Sequence, residues 1–280
     1  MGKSSQQFGS FRLSPEKEED SRSKGAGEPK ATLSPDVLPK GFEHAETVLC
    51  RVTPKNRIVG CGKDYEFGAE KFRFLRHRLM QLRQRRPVCK VLVTSCIPKE
   101  GKTLVAVNLA VSLATSSRRV ALFDADMRHP SVQTALGLPP AAGLAETLEG
   151  MRALDSVIRR VVPLGFYYLP AGKAEGNPFE LLEGPQMSEL MARAAVAFEW
   201  VIIDSPPLVP FADAHRLAVL SDAVLLVARP RVTPRDTLQQ VLSSLDGVPW
   251  GGVVLNATDE KRNDDYYYHY YPRASSRRKG

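Results

Sequence analysis

Cys96-Ile97-Pro98-Lys99-Glu100-Gly101-Lys102-Thr103 stands between an apolar stretch at 88–94 and a nearly uncharged helical pattern that opens at Leu104. Buried strand, glycine-bearing turn and Lys-Thr opening a helix is the layout of a phosphate-binding loop. In that layout the main-chain N–H groups of the turn and the first helical turn face phosphate oxygens, and the helix dipole favours their charge. Pro98, Lys99, Glu100, Gly101, Lys102, Thr103 and Leu104 are therefore the candidate nucleotide-binding residues, with Lys102 reaching the outer phosphates and the Thr103 hydroxyl on Mg²⁺. Cys96 occupies the place where the general pattern has glycine.

A chain of 280 residues holds one sizeable α/β domain with extensions, and 43% hydrophobic content supplies its core. No run approaches 18 apolar residues, so no membrane span is expected. The opening Met-Gly-Lys-Ser-Ser-Gln is polar and leads into no apolar run, which argues against a secretory signal. Gln6, where Ser or Thr is favoured, weakens a myristoylation reading. Cys50, Cys61, Cys89 and Cys96 have neither disulfide-scaffold density nor metal-ligand spacing, and a reducing cytoplasm fits them. The net charge of +8 is unevenly placed: residues 61–90 carry nine basic and three acidic side chains, residues 91–258 fourteen and sixteen. The segment downstream of the basic stretch is thus slightly acidic and ill suited to nucleic acid. The basic stretch ending Arg83-Gln84-Arg85-Arg86 is either a surface for anionic lipid or an acidic partner, or a solvated helix face.

Composition divides the chain into a disordered segment at 1–40, an approach segment at 41–66, a nucleotide domain at 67–258 and a flexible tyrosine-rich tail at 259–280. Phe72, Leu75, Leu79 and Leu82 lay an apolar stripe along a helix over 68–86 that Pro87 stops. Beyond it, strands are expected at 88–94, 120–123, 166–169, 200–203, 223–228 and 252–255. Helices are expected at 103–116, near 143–159, and at 185–198, 212–220 and 234–245. Short apolar strands alternating with helices specify an α/β fold, a mostly parallel sheet with helices on both faces. Ligands of such sheets bind beyond the C-terminal strand ends.

Acids stand at two of those ends. Val120-Ala121-Leu122-Phe123 runs into Asp124-Ala125-Asp126-Met127-Arg128, and Trp200-Val201-Ile202-Ile203 runs into Asp204-Ser205-Pro206-Pro207. Acids at buried strand ends need a cation to offset them, and beside a phosphate loop that cation is Mg²⁺. Asp204 holds it directly or through water; Asp124 suits acceptance of a proton from an attacking hydroxyl, and Asp126 suits metal positioning. Lys102, Asp124, Asp126 and Asp204 are the candidate catalytic residues, and Thr103, Asp126 and Asp204 the candidate metal set. The alternative is that the acids are caps or ion-pair partners.

Asp264-Asp265-Tyr266-Tyr267-Tyr268-His269-Tyr270-Tyr271 holds five of the eight tyrosines. Tyr266, Tyr267, Tyr268, Tyr270 and Tyr271 read as phosphoacceptors, an aromatic adhesive patch, or, with Arg273 and Arg277-Arg278-Lys279, a weak single-stranded nucleic-acid binder.

With its phosphate loop, Asp124-x-Asp126-x-Arg128, Ile202-Ile203-Asp204-Ser205-Pro206-Pro207, the tyrosine tail and Glu70-x-x-Arg73-x-x-Arg76, the chain resembles the bacterial tyrosine kinases of capsule and exopolysaccharide synthesis from about Glu70 to Tyr271. The resemblance implies a phosphate-loop NTPase fold of the deviant-Walker type, ATP and Mg²⁺ as cofactors, and autophosphorylation of the tail. It places Glu70, Arg73 and Arg76 at the subunit interface of a ring and lets Asn256, at the end of a last strand, contact the base. It also implies a separate membrane activator, a polysaccharide co-polymerase, and hence peripheral placement at the inner face of the membrane. Lys99 stands where the family commonly has glycine and points either to phosphate or to solvent; Cys96 replaces a small residue and suggests a thiol-sensitive loop. His77-Arg78 replaces the more usual Thr-Asn. The rival readings are a partitioning or division-site ATPase, which carries a second lysine where this chain has Ile97, and an ATP-binding scaffold without phosphotransfer.

Overall fold

Apolar runs of four to six residues, ended by turn residues or charge, assemble into one sheet. A computed structural model describes residues 42, 45–53, 56–59, 66–116 and 119–258. The expected disorder of 1–40 and the expected flexible tail with its tyrosines lie outside the described residues. The strands among them are β1 (Glu46–Leu49), β2 (Lys90–Ser95), β3 (Val120–Asp124), β4 (Arg159–Val162), β5 (Phe166–Leu169), β6 (Trp200–Asp204), β7 (Ala223–Ala228) and β8 (Trp250–Leu255). Their order is β1-β4-β5-β3-β6-β2-β7-β8, parallel throughout except where β4 meets β5. The helices are α1 (Glu66–Arg85), α2 (Lys102–Ala114), α3 (Val132–Leu136), α4 (Leu144–Leu148), α5 (Leu154–Val157), α6 (Pro178–Glu183), α7 (Pro185–Ala197), α8 (Asp213–Val219) and α9 (Arg235–Ser244).

Strand side chains alternate between faces, and each face has its own core. Val91, Val93, Leu122 and Ile202 pack with Leu79 of α1, Val105 to Leu113 of α2 and Leu136 of α3. Leu92, Phe123, Ile203 and Leu226 pack on the opposite side with Leu190 and Met191 of α7 and Leu217 of α8. β2, β3, β6 and β7 are covered on both sides, which is why they read as unbroken apolar runs. The expected mostly parallel, doubly covered sheet is what forms.

The differences lie at the margin. The approach segment supplies the edge strand β1, whose Glu46-Thr47-Val48-Leu49 is largely exposed and carries no alternation. The single helix expected near 143–159 does not form. Gly150, at φ +75°, breaks it into α4 and α5, and Arg159 onward becomes β4. A left-handed residue cannot continue a right-handed helix.

Two of the three arginines that end the basic run are structural. Arg83 donates to the Glu199 carbonyl (3.1 Å) and lies 4.9 Å over the buried Trp200 ring. Arg86 donates to the carbonyls of Asp222 (2.6 Å) and Trp250 (2.9 Å), so these two bolt α1 to the N-terminal sheet edge. No helix among the described residues is long and apolar enough to cross a membrane.

Candidate active site

β2 is the middle of the site because β6 and β7 flank it and β3 lies beyond β6. The loop after β2 turns into α2 through Gly101, whose φ of +96° suits glycine. A Cβ there would come within 2.1 Å of the Asn256 side-chain nitrogen, which donates to the Glu100 carbonyl at 2.8 Å. Asn256, expected near the base, thus touches the loop itself. Gly101→Ala is expected to cost about 1–3 kcal/mol by combining left-handed strain with displacement of Asn256; urea unfolding measures it.

Asp124 and Asp204 end β3 and β6 in register with one another. Both are fully buried and Asp126 is nearly so. Lys102 Nζ lies 2.8 Å from Asp126 Oδ2 and 3.8 Å from Asp204 Oδ1. The Thr103 hydroxyl donates to Asp204 Oδ2 at 2.6 Å, leaving its oxygen to accept from Ser131 at 2.7 Å. Asp124 faces its own loop: its oxygens accept from the main-chain N–H of Asp126 (3.3 Å), Ser131 (3.2 Å) and Val132 (3.1 Å). The acids expected from the sequence therefore converge on Lys102 and Thr103, with Asp124 organising the loop that presents Asp126 and Ser131.

Burial, then the charge of Asp204, raises the Asp124 carboxyl far above the ordinary range. Burial also raises Asp204, against the opposing pull of Lys102 and Thr103. For Lys102 burial acts downward, but Asp204 and Asp126 together outweigh it and keep the ammonium above its usual value.

Sequence reasoning missed Ser131 and Asp213. Asp213, in the first turn of α8, is buried and takes a bidentate grip from Arg128, Nε at 2.7 Å and Nη2 at 3.0 Å. That guanidinium lies 4.7 Å over the Phe211 ring. An Asp opening a helix after a proline-rich turn was the available signal for a cap, not for this pairing. Arg128→Ala leaves Asp213 buried without its cation. Because Arg128 is 27% exposed, the expected loss is about 2–3 kcal/mol, below the ~3–5 of a fully buried pair; thermal unfolding checks it.

Three other positions differ from expectation or resolve it. Cys96 is fully buried, and burial, with Glu100 beside it, pushes its thiol up to about 12. A thiol so protonated and enclosed is a poor nucleophile, which speaks against the expected thiol sensitivity. Lys99 is exposed at φ +68°, the left-handed geometry that glycine would adopt freely. Arg76 turns inward, donating to the Ser112 carbonyl (2.6 Å) and Thr115 hydroxyl (3.0 Å), while Arg73 pairs with Glu70 along α1.

Residues 92–271, more than half the chain, match the CobQ/CobB/MinD/ParA nucleotide binding domain. The tyrosine-protein kinase YwqD of Bacillus subtilis (strain 168) is 30% identical over 191 residues, 68% of this chain and 81% of that protein. The chain belongs to the bacterial tyrosine-kinase family. The kinase domain of the Escherichia coli tyrosine kinase ETK superposes with a TM-score of 0.66 at 28% identity, over 76% of this chain and 79% of that one. The succinoglycan biosynthesis transport protein ExoP of Rhizobium meliloti (strain 1021) is 36% identical over 60% of this chain but only 22% of its own length. The chain spans about a quarter of most of the curated relatives it matches.

For a member of this kinase family, the donor set suits Mg²⁺. Thr103, Asp126 and Asp204 offer hard oxygens, and Asp204 Oδ1 is buried without a hydrogen-bond partner. Among the described residues no three acidic, His or Cys side chains converge to hold a metal unaided.

Proposed function

We propose that this chain transfers the γ-phosphoryl group of ATP to Tyr266, Tyr267, Tyr268, Tyr270 and Tyr271 of its own tail, mainly between neighbouring subunits. The observation that carries this reading is the meeting of Lys102, Thr103, Asp126 and Asp204 at adjacent strand ends beside the phosphate loop. Mg²⁺ held by Thr103, Asp126 and Asp204 would neutralise charge on the phosphates. The N–H groups of Gly101, Lys102 and Thr103 bind phosphate oxygens, and Lys102 moves its charge from Asp126 to the outer phosphates. Asp124, at the end of β3 behind Asp126, is the carboxylate proposed to take the phenol proton once substrate enters. Asn256 contacts the base or holds the loop against it.

Tyr266 lies ten residues past Asn256, so an extended tail reaches about 35 Å, enough for an adjacent subunit. Each phosphotyrosine adds about −1.5 to −2 charge, and several would be repelled by Asp124 and Asp126, dispersing a ring assembled through the part of α1 that carries Glu70, Arg73 and Arg76. Such a cycle would regulate polysaccharide synthesis or export alongside a separate membrane activator, a polysaccharide co-polymerase, with the kinase held peripherally at the inner face of the membrane. ExoP, named for succinoglycan biosynthesis and transport, supports the polysaccharide link. The slight acidity of 91–258 supports the absence of a nucleic-acid partner.

The test is incubation of purified protein with Mg-ATP, with and without membrane activator, and mapping of phosphate by mass spectrometry. Modification of Tyr266 to Tyr271 is expected. Its absence under every condition would defeat the autokinase reading.

A further inference from the structure

Glu100 is the one acid of the phosphate loop and the phosphotransfer scheme gives its side chain no task. It is completely buried. Its carboxylate is held inside the protein: Oε2 accepts from the Ile97 N–H at 2.9 Å, and Oε1 accepts from the Thr233 hydroxyl. Thr233 belongs to the turn between β7 and α9. Its hydroxyl oxygen also accepts from the Arg229 N–H at 2.8 Å, and the Thr233 N–H donates to the Arg229 carbonyl at 2.9 Å, so that turn is closed on itself. The Glu100 carbonyl meanwhile accepts from Asn256 at the end of β8.

Loop residues 97 and 100 are thus clamped together from the inside and tied to two neighbouring strand ends 133 and 156 residues further along the chain. A bent loop whose N–H groups must all aim at one anion loses conformational freedom when it binds. Fixing that bend beforehand lowers the ordering cost and tightens binding. A buried carboxylate with hydrogen-bond partners on both oxygens is suited to this, since loss of either partner leaves a buried charge underserved.

We infer that Glu100, acting through Thr233, is a positioning residue that pre-sets the phosphate loop for nucleotide. The inference deepens the proposed function, but its first readout, nucleotide affinity, does not depend on phosphotransfer. The experiment titrates the full chain with a fluorescent N-methylanthraniloyl-ADP and Mg²⁺ for the parent, Thr233→Val, Thr233→Ser, Glu100→Ala and the Thr233→Val/Glu100→Ala double variant. Circular dichroism confirms that each is folded. Thr233→Val and Glu100→Ala are each expected to weaken binding about tenfold or more. Thr233→Ser should keep parental affinity, since it keeps the hydroxyl. The double variant should bind no worse than the weaker single variant within about threefold, because both changes break one link. In a kinase assay of Thr233→Val the apparent KM for ATP should rise while kcat at saturating ATP stays within about twofold. Parental affinity in folded Thr233→Val overturns the inference, and so does a double variant whose losses multiply. If Glu100→Ala does not fold, the Val and Ser variants of Thr233 decide alone. A kinase that never phosphorylates tyrosine yet shows the affinity pattern would sink the proposed function and leave this inference standing.

Discussion

Replacing Lys102 by Met is expected to cut tail phosphorylation by about 10²–10³-fold or more. The ammonium is the cation between two buried acids, 2.8 Å from Asp126 and 3.8 Å from Asp204. Methionine fills similar volume but carries no charge, so the outer phosphates lose their contact and would face Asp126 and Asp204 without an intervening cation. Radiolabel incorporation from [γ-³²P]ATP, with intact-mass counting of phosphates, measures the change. Undiminished modification in this variant would show that the reaction happens elsewhere on the molecule.

Asp204→Asn is expected to act in opposite directions on activity and stability. Activity should fall at least about 10²-fold, because the side chain that engages Thr103 and faces Lys102 loses its charge. Stability should behave otherwise. Asp204 and Asp124 both hold their protons more tightly in the folded chain than an ordinary carboxyl does. The folded state therefore binds more protons than the unfolded one, and these groups erode stability as pH rises from about 4 through their raised values. The amide cannot ionise and also relieves Asp124 of its nearest negative neighbour, while the Thr103 hydroxyl can reverse to accept from it. Thermal unfolding of nucleotide-free protein from about pH 5 to 8.5 should show a flatter profile for Asp204→Asn than for the parent, with the largest advantage at the alkaline end. A variant that melts lower at the alkaline end than at the acidic end by as much as the parent does would refute the electrostatic account.

The central strands were legible because both their faces are buried. A stretch such as Trp200 to Ile203, enclosed by helices on either side, has no freedom to be polar, and the acid that follows it marks where the sheet opens. The same logic hid β1 and β4. Glu46, Arg159 and Arg160 sit at or near the sheet margin, where half-exposed backbone tolerates charge and no pattern survives. The site was legible wherever its residues lie within one motif. Lys102, Thr103, Asp124, Asp126 and Asp204 come together because the strand order brings the ends of β2, β3 and β6 side by side. Partnerships between a motif residue and one outside every motif were not legible. Nothing in the spacing of Arg128 and Asp213, or of Glu100 and Thr233, announces that a crossover will place them together. Arg76 and Cys96 teach the complementary lesson, since a residue type at a motif position does not reveal which way its side chain turns.

The inward turn of Arg76 has one more consequence. It grips the carbonyl end of α2, whose amide end opens at the proposed phosphate loop, so a single rod of thirteen residues, about 20 Å at 1.5 Å per residue, spans the distance between them. Adding or deleting one residue in that rod would swing Arg76's anchor around the axis by about 100° and draw it off by 1.5 Å. The length of α2 is therefore a fixed gauge: its residues can be exchanged for others of like volume, but their number cannot change without uncoupling the outer helix from the nucleotide end.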